Sequence, residues 1–425
     1  MSNHEIYHNC IAILKAELKP ALGCTEPIAI AYATAKAREV LGCPPEALEI
    51  CCSGNIIKNV KGVYVPNSGG MKGIDTAALL GAFAGHAEKE LEVLNGVTEE
   101  DIAHVKQLRK ANICKCSLKE GVANLYVSVT LYAGNQSAEV ELKDTHTNVT
   151  KIVHNGQVIQ TAKEFSGEED AHERLKQTLT IDDILDFARN VEIEDVKDVL
   201  DQQIRMNTAI SDEGLCHAYG SEVGRMQMKR AGNDVRLKAR ARAAAGSDAR
   251  MSGCALPVVI NSGSGNQGIT ACMPVLTYAE HLGASQEQLY RALVISNLVA
   301  LHQKAYIGSL SAFCGAVCAA AGSGAAIAYL YGGSDEQIAN TVVNTVANIG
   351  GMVCDGAKPS CAAKISTAVE AAIMGMEMSL ADRSFVSGDG IVKSTAEKTI
   401  QSVGRMGKIG MKSTDVEILN IMLED

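Results

Sequence analysis

The chain has 425 residues, of which 47% are hydrophobic, 21% charged and 4% aromatic, and its formal net charge is −10. That length predicts two or three domains with a substantial core, built without Trp and with only five Phe from small and branched aliphatic side chains. The acidic balance, with no basic run interleaved with aromatics, excludes a reader of nucleic-acid backbones, and 39 Gly without a fixed period exclude a collagen-like chain.

In chain order, residues 5–19 and 27–41 carry apolar side chains at helical spacing. Pro27 marks the second helix start, with Cys24 and Thr25 just before it. The run LEICCSGNIIKNVKGVYVPN then alternates and is β-branched, which predicts strands joined by Gly turns. Helical patterns return at about 73–94 and 99–110. NICKCSLKE, ANLYVSVTLYAG, QSAEVELKD and NVTKIVHNG follow as four strands of a meander. From about 165 the patterns are helical almost throughout, and Arg236–Arg242 (RLKARAR) reads as a solvated helix face. The expected fold class is α+β: a large all-helical domain with a smaller α/β domain inserted. The expected divisions are 1–42, two helices carrying GCTEP; 43–165, the α/β domain; and 166–425, the helical domain.

Charge is unevenly distributed. Between Met251 and Cys354 the only charged residues are Glu280, Glu287, Arg291, Lys304, Asp335 and Glu336, and Ala305–Ser334 has none. The latter stretch is long enough to span a bilayer, but it is mostly Ala, Gly and Ser and lacks flanking aromatic and basic residues. It reads as a helix buried on all sides at the centre of a helical domain, so no membrane is expected. The first residues, MSNHEIYHNC, lack the basic-then-apolar pattern of an export signal. The expected location is the cytoplasm, where 14 Cys would be thiols, metal ligands or nucleophiles.

Two motif matches carry little. His4-Glu5-Ile6-Tyr7-His8 has the H-E-x-x-H spacing of a zinc hydrolase, but it sits where a terminal helix frays and no third ligand follows at matching spacing. Gly263-Ser-Gly265-Asn-Gln-Gly268 has the G-x-G-x-x-G form after the apolar run LPVVI. Pro274 follows soon after, and the acidic residue of a dinucleotide site is missing. A loop at a helix start is the simpler reading. Its N–H groups and side-chain amides suit a small carboxylate.

No C-x-x-C pair occurs among the cysteines. Cys51-Cys52 and Cys114-Lys-Cys116 lie in strand-like runs without further ligands nearby, and Cys318 reads as packing. Four cysteines have unusual settings. Cys314 lies in the uncharged stretch. Cys354 and Cys361 flank a bent loop in GGMVCDGAKPSCAAK, and Cys24 precedes a helix start, where the dipole favours a thiolate. Three converging thiolates in a charge-poor core suit an iron–sulfur cluster with one iron open; structural thiols are the alternative.

The segments GCTEPIAIAYA, SGNIIKN with VPNSGG, NSGSGNQG and GGMVCDGAKPSCAAK resemble the L-cysteine desulfidase family, related to the α-chain domain of iron–sulfur L-serine dehydratases. The likeness runs from about residue 20 to about 410, in the same order and with similar gaps. It implies a 4Fe–4S cluster on Cys314, Cys354 and Cys361 and an active-site cysteine at Cys24, so that residues 166–425 would be the iron–sulfur domain. Serine dehydratases carry a Ser/His-rich motif at the position of GCTEP. Its absence here favours cysteine as substrate. The expected reaction is β-elimination of L-cysteine to pyruvate, ammonia and sulfide, with L-serine dehydration or a non-catalytic sensor as rivals. Cys24 would act as the base, its thiol acidified by the helix start together with nearby positive iron. Thr25, Asn67, Ser68, Ser264, Asn266 and Gln267 are the candidate substrate-binding residues. The expected partners are a small amino acid and a second copy in a homodimer.

Overall fold

The computed structural model describes residues 3–161, 175–308 and 310–424. The fold is α+β, and one continuous apolar core runs through its sheet and its helices. The expected boundary at 165/166 lies outside the described residues.

The sheet has six strands in the order β3-β2-β4-β5-β6-β7: β2 Ala47–Cys52, β3 Cys114–Leu118, β4 Tyr126–Ala133, β5 Gln136–Lys143, β6 Val149–His154 and β7 Gln157–Thr161. From β4 to β6 it is the antiparallel meander that the alternation predicts, and β7 adds an edge strand that it does not. β3 departs from it. It returns through helices to the other side of β2 and pairs in parallel, Leu48 opposite Cys114 and Cys52 opposite Leu118.

The segment after β2 is a second departure. Residues expected to continue as strand form a helix, α3 (Gly54–Lys61; α1 and α2 follow below). Ile56 and Val60 are four residues apart and both fully buried, so this short run obeys a helical period as well as an alternating one. Two more helices, α4 (Ile74–Ala84) and α5 (Glu99–Lys110), complete the crossover. The opening helices take different partners. α1 (Asn3–Glu17) rests on the helical part through the edge-to-face pair Tyr7–Phe187, with centroids 5.4 Å apart. α2 (Thr25–Leu41) lies on the sheet and crosses α4 at Gly81, where a Cβ would come within 2.6 Å of Ala31 Cα.

The helical part comprises α6 (Ile181–Asn190), α7 (Lys197–Cys216), α8 (Val223–Ala231), α9 (Val235–Met251), α10 (Gly265–Leu282), α11 (Gln286–Ile307), α12 (Gly315–Leu330), α13 (Asp335–Ile349), α14 (Cys361–Leu380), α15 (Ala396–Arg405) and α16 (Lys412–Leu423). At its centre is α12, buried from Ala316 to Ala328 among α10, α11, α13 and α14, as the uncharged stretch predicts. No described helix is long and apolar enough to cross a membrane.

The cluster RLKARAR is not a solvated face. Arg236 pairs with Glu370 and Glu377, Arg240 with Glu370, and Arg242 with Glu280, tying α9 to α14 and α10. Further along α9, the fully buried Asp248 accepts from the Gly224 N–H at 2.9 Å and so caps α8. Lys58 of α3, also buried, forms an ion pair with Asp415 that docks α16.

Candidate active site

A two-stranded ribbon sets the site. β1 (Pro20–Leu22) pairs antiparallel with β8 (Pro257–Val259), Ala21 opposite Val258, so GCTEP and NSGSGNQG continue from opposite ends of one short ribbon. Behind β8 lies a buried amide network. Asn207 exchanges hydrogen bonds with the Val259 backbone at 2.9 and 3.2 Å, Gln203 exchanges them with Asn297 at 3.0 and 2.8 Å, and Asn261 donates to Asn297 Oδ1 at 3.0 Å. In front, Thr25 Oγ1 donates to the Gly263 carbonyl at 2.9 Å and ties the two motifs together. At Gly268 a Cβ would collide with the Val259 carbonyl, so the glycine pattern reflects close packing of α10 on β8.

α2 begins at Thr25, two residues before the helix start expected at Pro27, and Cys24 is its N-cap residue. Cys24 is 2% exposed, and its thiol donates to Glu26 Oε2 at 3.0 Å. Thr25 Oγ1 donates to the same oxygen at 3.2 Å, and Asn59 Nδ2 of α3 to the other at 3.1 Å. The helix start does not by itself acidify this thiol. Burial and then the charge of Glu26 push it well above its ordinary value, against the opposing charge of Arg250. Cys24 thus presents its thiol hydrogen to the carboxyl group beside it.

The three cysteines expected as ligands converge. Cys314 is the N-cap of α12 and Cys361 the first residue of α14. The segments 312–314 and 352–354 pair antiparallel: the Cys314 N–H donates to the Met352 carbonyl at 3.0 Å, and the Cys354 N–H to the Ala312 carbonyl at 2.7 Å. Burial, then the charges of Cys354 and Cys361, push the Cys314 thiol up to about 12, and Lys364 opposes them. Burial likewise raises Cys361, against Lys358. Lys364 donates to the Val353 carbonyl at 2.6 Å, and Lys58 to the Cys354 carbonyl at 3.5 Å. Among the described residues no three His, Cys, Asp or Glu side chains are gathered to hold a single metal ion. The donor set fits a polynuclear iron–sulfur group: three free thiols that feel one another's charge, two at helix N-termini and with lysines beside them. Cys24 forms one small apolar cluster with Val63 and Met251, and Ala357 and Cys361 pack against it, which brings the fourth cysteine to the same cluster as one of the other three.

Of the candidate substrate-binding residues, Asn266 and Gln267 are brought to this place. Asn266 Oδ1 and Gln267 Oε1 are buried without hydrogen-bond partners, and Gln267 faces Gly315, next to Cys314. Ser264 is the N-cap of α10 and pairs with Asn261 through its backbone. Asn67 and Ser68 serve their own loop, which lies against Gly23 through Pro66. Asn67 Nδ2 donates to the Leu94 carbonyl at 2.9 Å, and Ser68 Oγ to the Met71 carbonyl at 3.0 Å.

Four residues join that sequence reasoning missed: Glu26, Asn59, His146 and Arg250. Glu26 lies inside the GCTEP motif and Asn59 closes SGNIIKN, so both had a signal within reach. His146 sits on the β5–β6 turn against Gly263, where a Cβ would lie 3.3 Å from its Cε1. It is 8% exposed with Nε2 unpartnered, and burial lowers its pKa, with Glu26 opposing and Arg250 assisting. His4 and His8, by contrast, pair with each other at an exposed helix start, Nε2 to Nε2 at 3.2 Å, with Tyr7 edge-to-face on His8.

A helical half built around a thiol-bearing core, with an α/β part delivering a buried cysteine to it, is the setting in which residues 88–420 match the family model for the serine dehydratase alpha chain. The chain belongs to the serine dehydratase α-chain family, a family of lyase-type enzymes. It is similar over nearly its whole length to UPF0597 proteins. The one from Lachnoclostridium phytofermentans is 51% identical over 98% of this chain and 100% of that protein, and the one from Desulfitobacterium hafniense 49% over 98% and 97%. The protein from Treponema denticola is 45% identical over 100% and 99%.

Proposed function

We propose that this chain is an iron–sulfur lyase that removes the β-substituent of L-cysteine, giving pyruvate, ammonia and sulfide. The observation that carries this reading is that Cys24, from one end of the chain, and Cys361 of the three-thiol set pack into the same small apolar cluster around Val63 and Met251. When bound on Cys314, Cys354 and Cys361, a 4Fe–4S cluster would supply a Lewis-acidic iron that withdraws charge from the leaving sulfide.

The protein's own groups move the proton. The Cys24 thiol already shares its hydrogen with Glu26 Oε2, so Glu26 is the acceptor that frees Cys24 to take the Cα proton. Thr25 and Asn59 hold the Glu26 carboxylate in place by donating to its two oxygens. Cys24 is buried, so bulk water does not reach the base. The released enamine tautomerises and hydrolyses to pyruvate and ammonia. The working unit is a cytoplasmic homodimer, checked by light scattering of the loaded protein.

L-serine is the second reading, favoured by the family to which the chain belongs. One anaerobic experiment separates the two: iron and sulfide content of the loaded protein, with pyruvate release from L-cysteine and from L-serine. Faster release from L-cysteine supports the proposal, and faster release from L-serine replaces it. A loaded cluster without turnover of either marks a sensor, and zinc in place of iron ends both readings.

A further inference from the structure

Arg250, in the last turn of α9, is 2% exposed, yet among the described residues its guanidinium makes no hydrogen bond or ion pair, and its Nε is a buried donor without a partner. Its charge reaches both Cys24 and His146. The nearby anion, Glu26, is engaged by Cys24, Thr25 and Asn59 instead. A buried charge without a counter-charge is costly, and a fold retains one where a ligand supplies the missing partner. Room for the side chain is built in: a Cβ on Gly265 would lie 2.9 Å from Arg250 Cζ and 2.5 Å from Val258 Cγ2.

The polarity of the other unpartnered atoms narrows the ligand. Arg250 Nε is a donor, His146 Nε2 can donate from one tautomer, and Asn266 Oδ1 and Gln267 Oε1 are acceptors. Donors suit a carboxylate and acceptors an ammonium. We propose that Arg250 is the carboxylate anchor of the site, gripping the α-carboxylate of a small zwitterionic amino acid whose ammonium faces Asn266 and Gln267. The guanidinium fork matches a carboxylate in two parallel hydrogen bonds, which a lysine ammonium does not reproduce. This rests on the lyase reading and adds the group that orients the substrate. It also excludes substrates whose carboxylate is masked, such as amides and internal residues of peptides.

The test is calorimetric and independent of turnover. L-alanine has the zwitterion and no leaving group, and L-alaninamide lacks the carboxylate. Anaerobically loaded wild type should bind L-alanine at least about tenfold more tightly than L-alaninamide, because a charge-assisted pair is at stake. Arg250→Gln should weaken L-alanine by about 10–100-fold and leave L-alaninamide within about twofold; Arg250→Lys should fall between. Equal weakening of both ligands would make Arg250 a structural support, and no weakening would remove it from the site. If neither variant folds, the wild-type comparison stands alone, and equal affinity for the two ligands overturns the proposal. Arg250-dependent binding of L-alanine without pyruvate from L-cysteine or L-serine sinks the lyase reading and leaves the anchor. Pyruvate release with L-alanine binding indifferent to Arg250 does the reverse.

Discussion

Cys24→Ser separates a base from a mere neighbour of the cluster ligands. The serine hydroxyl keeps a donor toward Glu26 Oε2, 3.0 Å from the present sulfur, so the hydrogen-bond frame with Thr25 and Asn59 survives. The lost sulfur leaves a small gap against Val63, Met251 and Ala357, costing about 1 kcal/mol and a shift of a few degrees in Tm at most. Catalysis should suffer far more. A hydroxyl is much less acidic than a thiol, and a residue 2% exposed gives water no access to replace it, so turnover should fall by the 10²–10⁴-fold ascribed to a general base. That is about 3–5 kcal/mol in the barrier. The assay is anaerobic: visible absorption and iron content to show the cluster retained, then kcat and deuterium exchange at the substrate Cα. Exchange at the wild-type rate in Cys24→Ser would refute the base. Activity that persists while the resting spectrum changes would instead make Cys24 a resting-state ligand of the cluster.

The remaining predictions concern the frame. Cys314→Ser, Cys354→Ser and Cys361→Ser should each abolish iron binding and activity; stoichiometric iron in any one removes that residue from the ligand set. Cys318→Ala should retain the cluster, since Cys318 is fully buried packing one turn into α12, with iron content again as the measure. Asp415→Asn leaves Lys58 buried without its counter-charge and should undock α16 at a cost of about 3 kcal/mol, read as faster hydrogen exchange over 412–423. Asp248 has its pKa raised by burial to about 6, so in the fold the carboxylate is the disfavoured form and stability is lost as pH rises through 6. Asp248→Asn removes that penalty. Its stability relative to wild type should fall by about 1–1.5 kcal/mol between pH 7.5 and 5, seen in urea midpoints, and a constant difference would contradict the assignment.

The sequence was legible where one period dominated. The β4–β6 alternation and the charge-free α12 follow from side-chain spacing alone, because each has only one way to bury its apolar positions, whereas β7 is exposed along its length. α3 was misread because Ile56, Ile57 and Val60 satisfy both periods over eight residues, and only the packing partner decides between them. The three cysteines proposed as ligands and Cys24 stand out by their local settings. Arg250 did not, since burial distinguishes it from the arginines of α9 that pair with Glu370 and Glu280, and burial belongs to the fold. The acidity of Cys24 was misjudged for a related reason: a helix start gives a partial charge, whereas desolvation and the carboxylate of Glu26 give larger ones of the opposite sense.

The ribbon that joins Pro20–Leu22 to Pro257–Val259 closes more than half of the chain into a single loop. During synthesis β1 waits without its partner until residues past 259 have emerged, and the Cys354–Cys361 loop follows about a hundred residues later. Until then Cys24 is a thiol with no cover, and no cofactor can be seated beside it. On the proposed reading, loading with iron and sulfur therefore waits for the finished chain, and an interrupted one offers an oxidisable cysteine in place of a site.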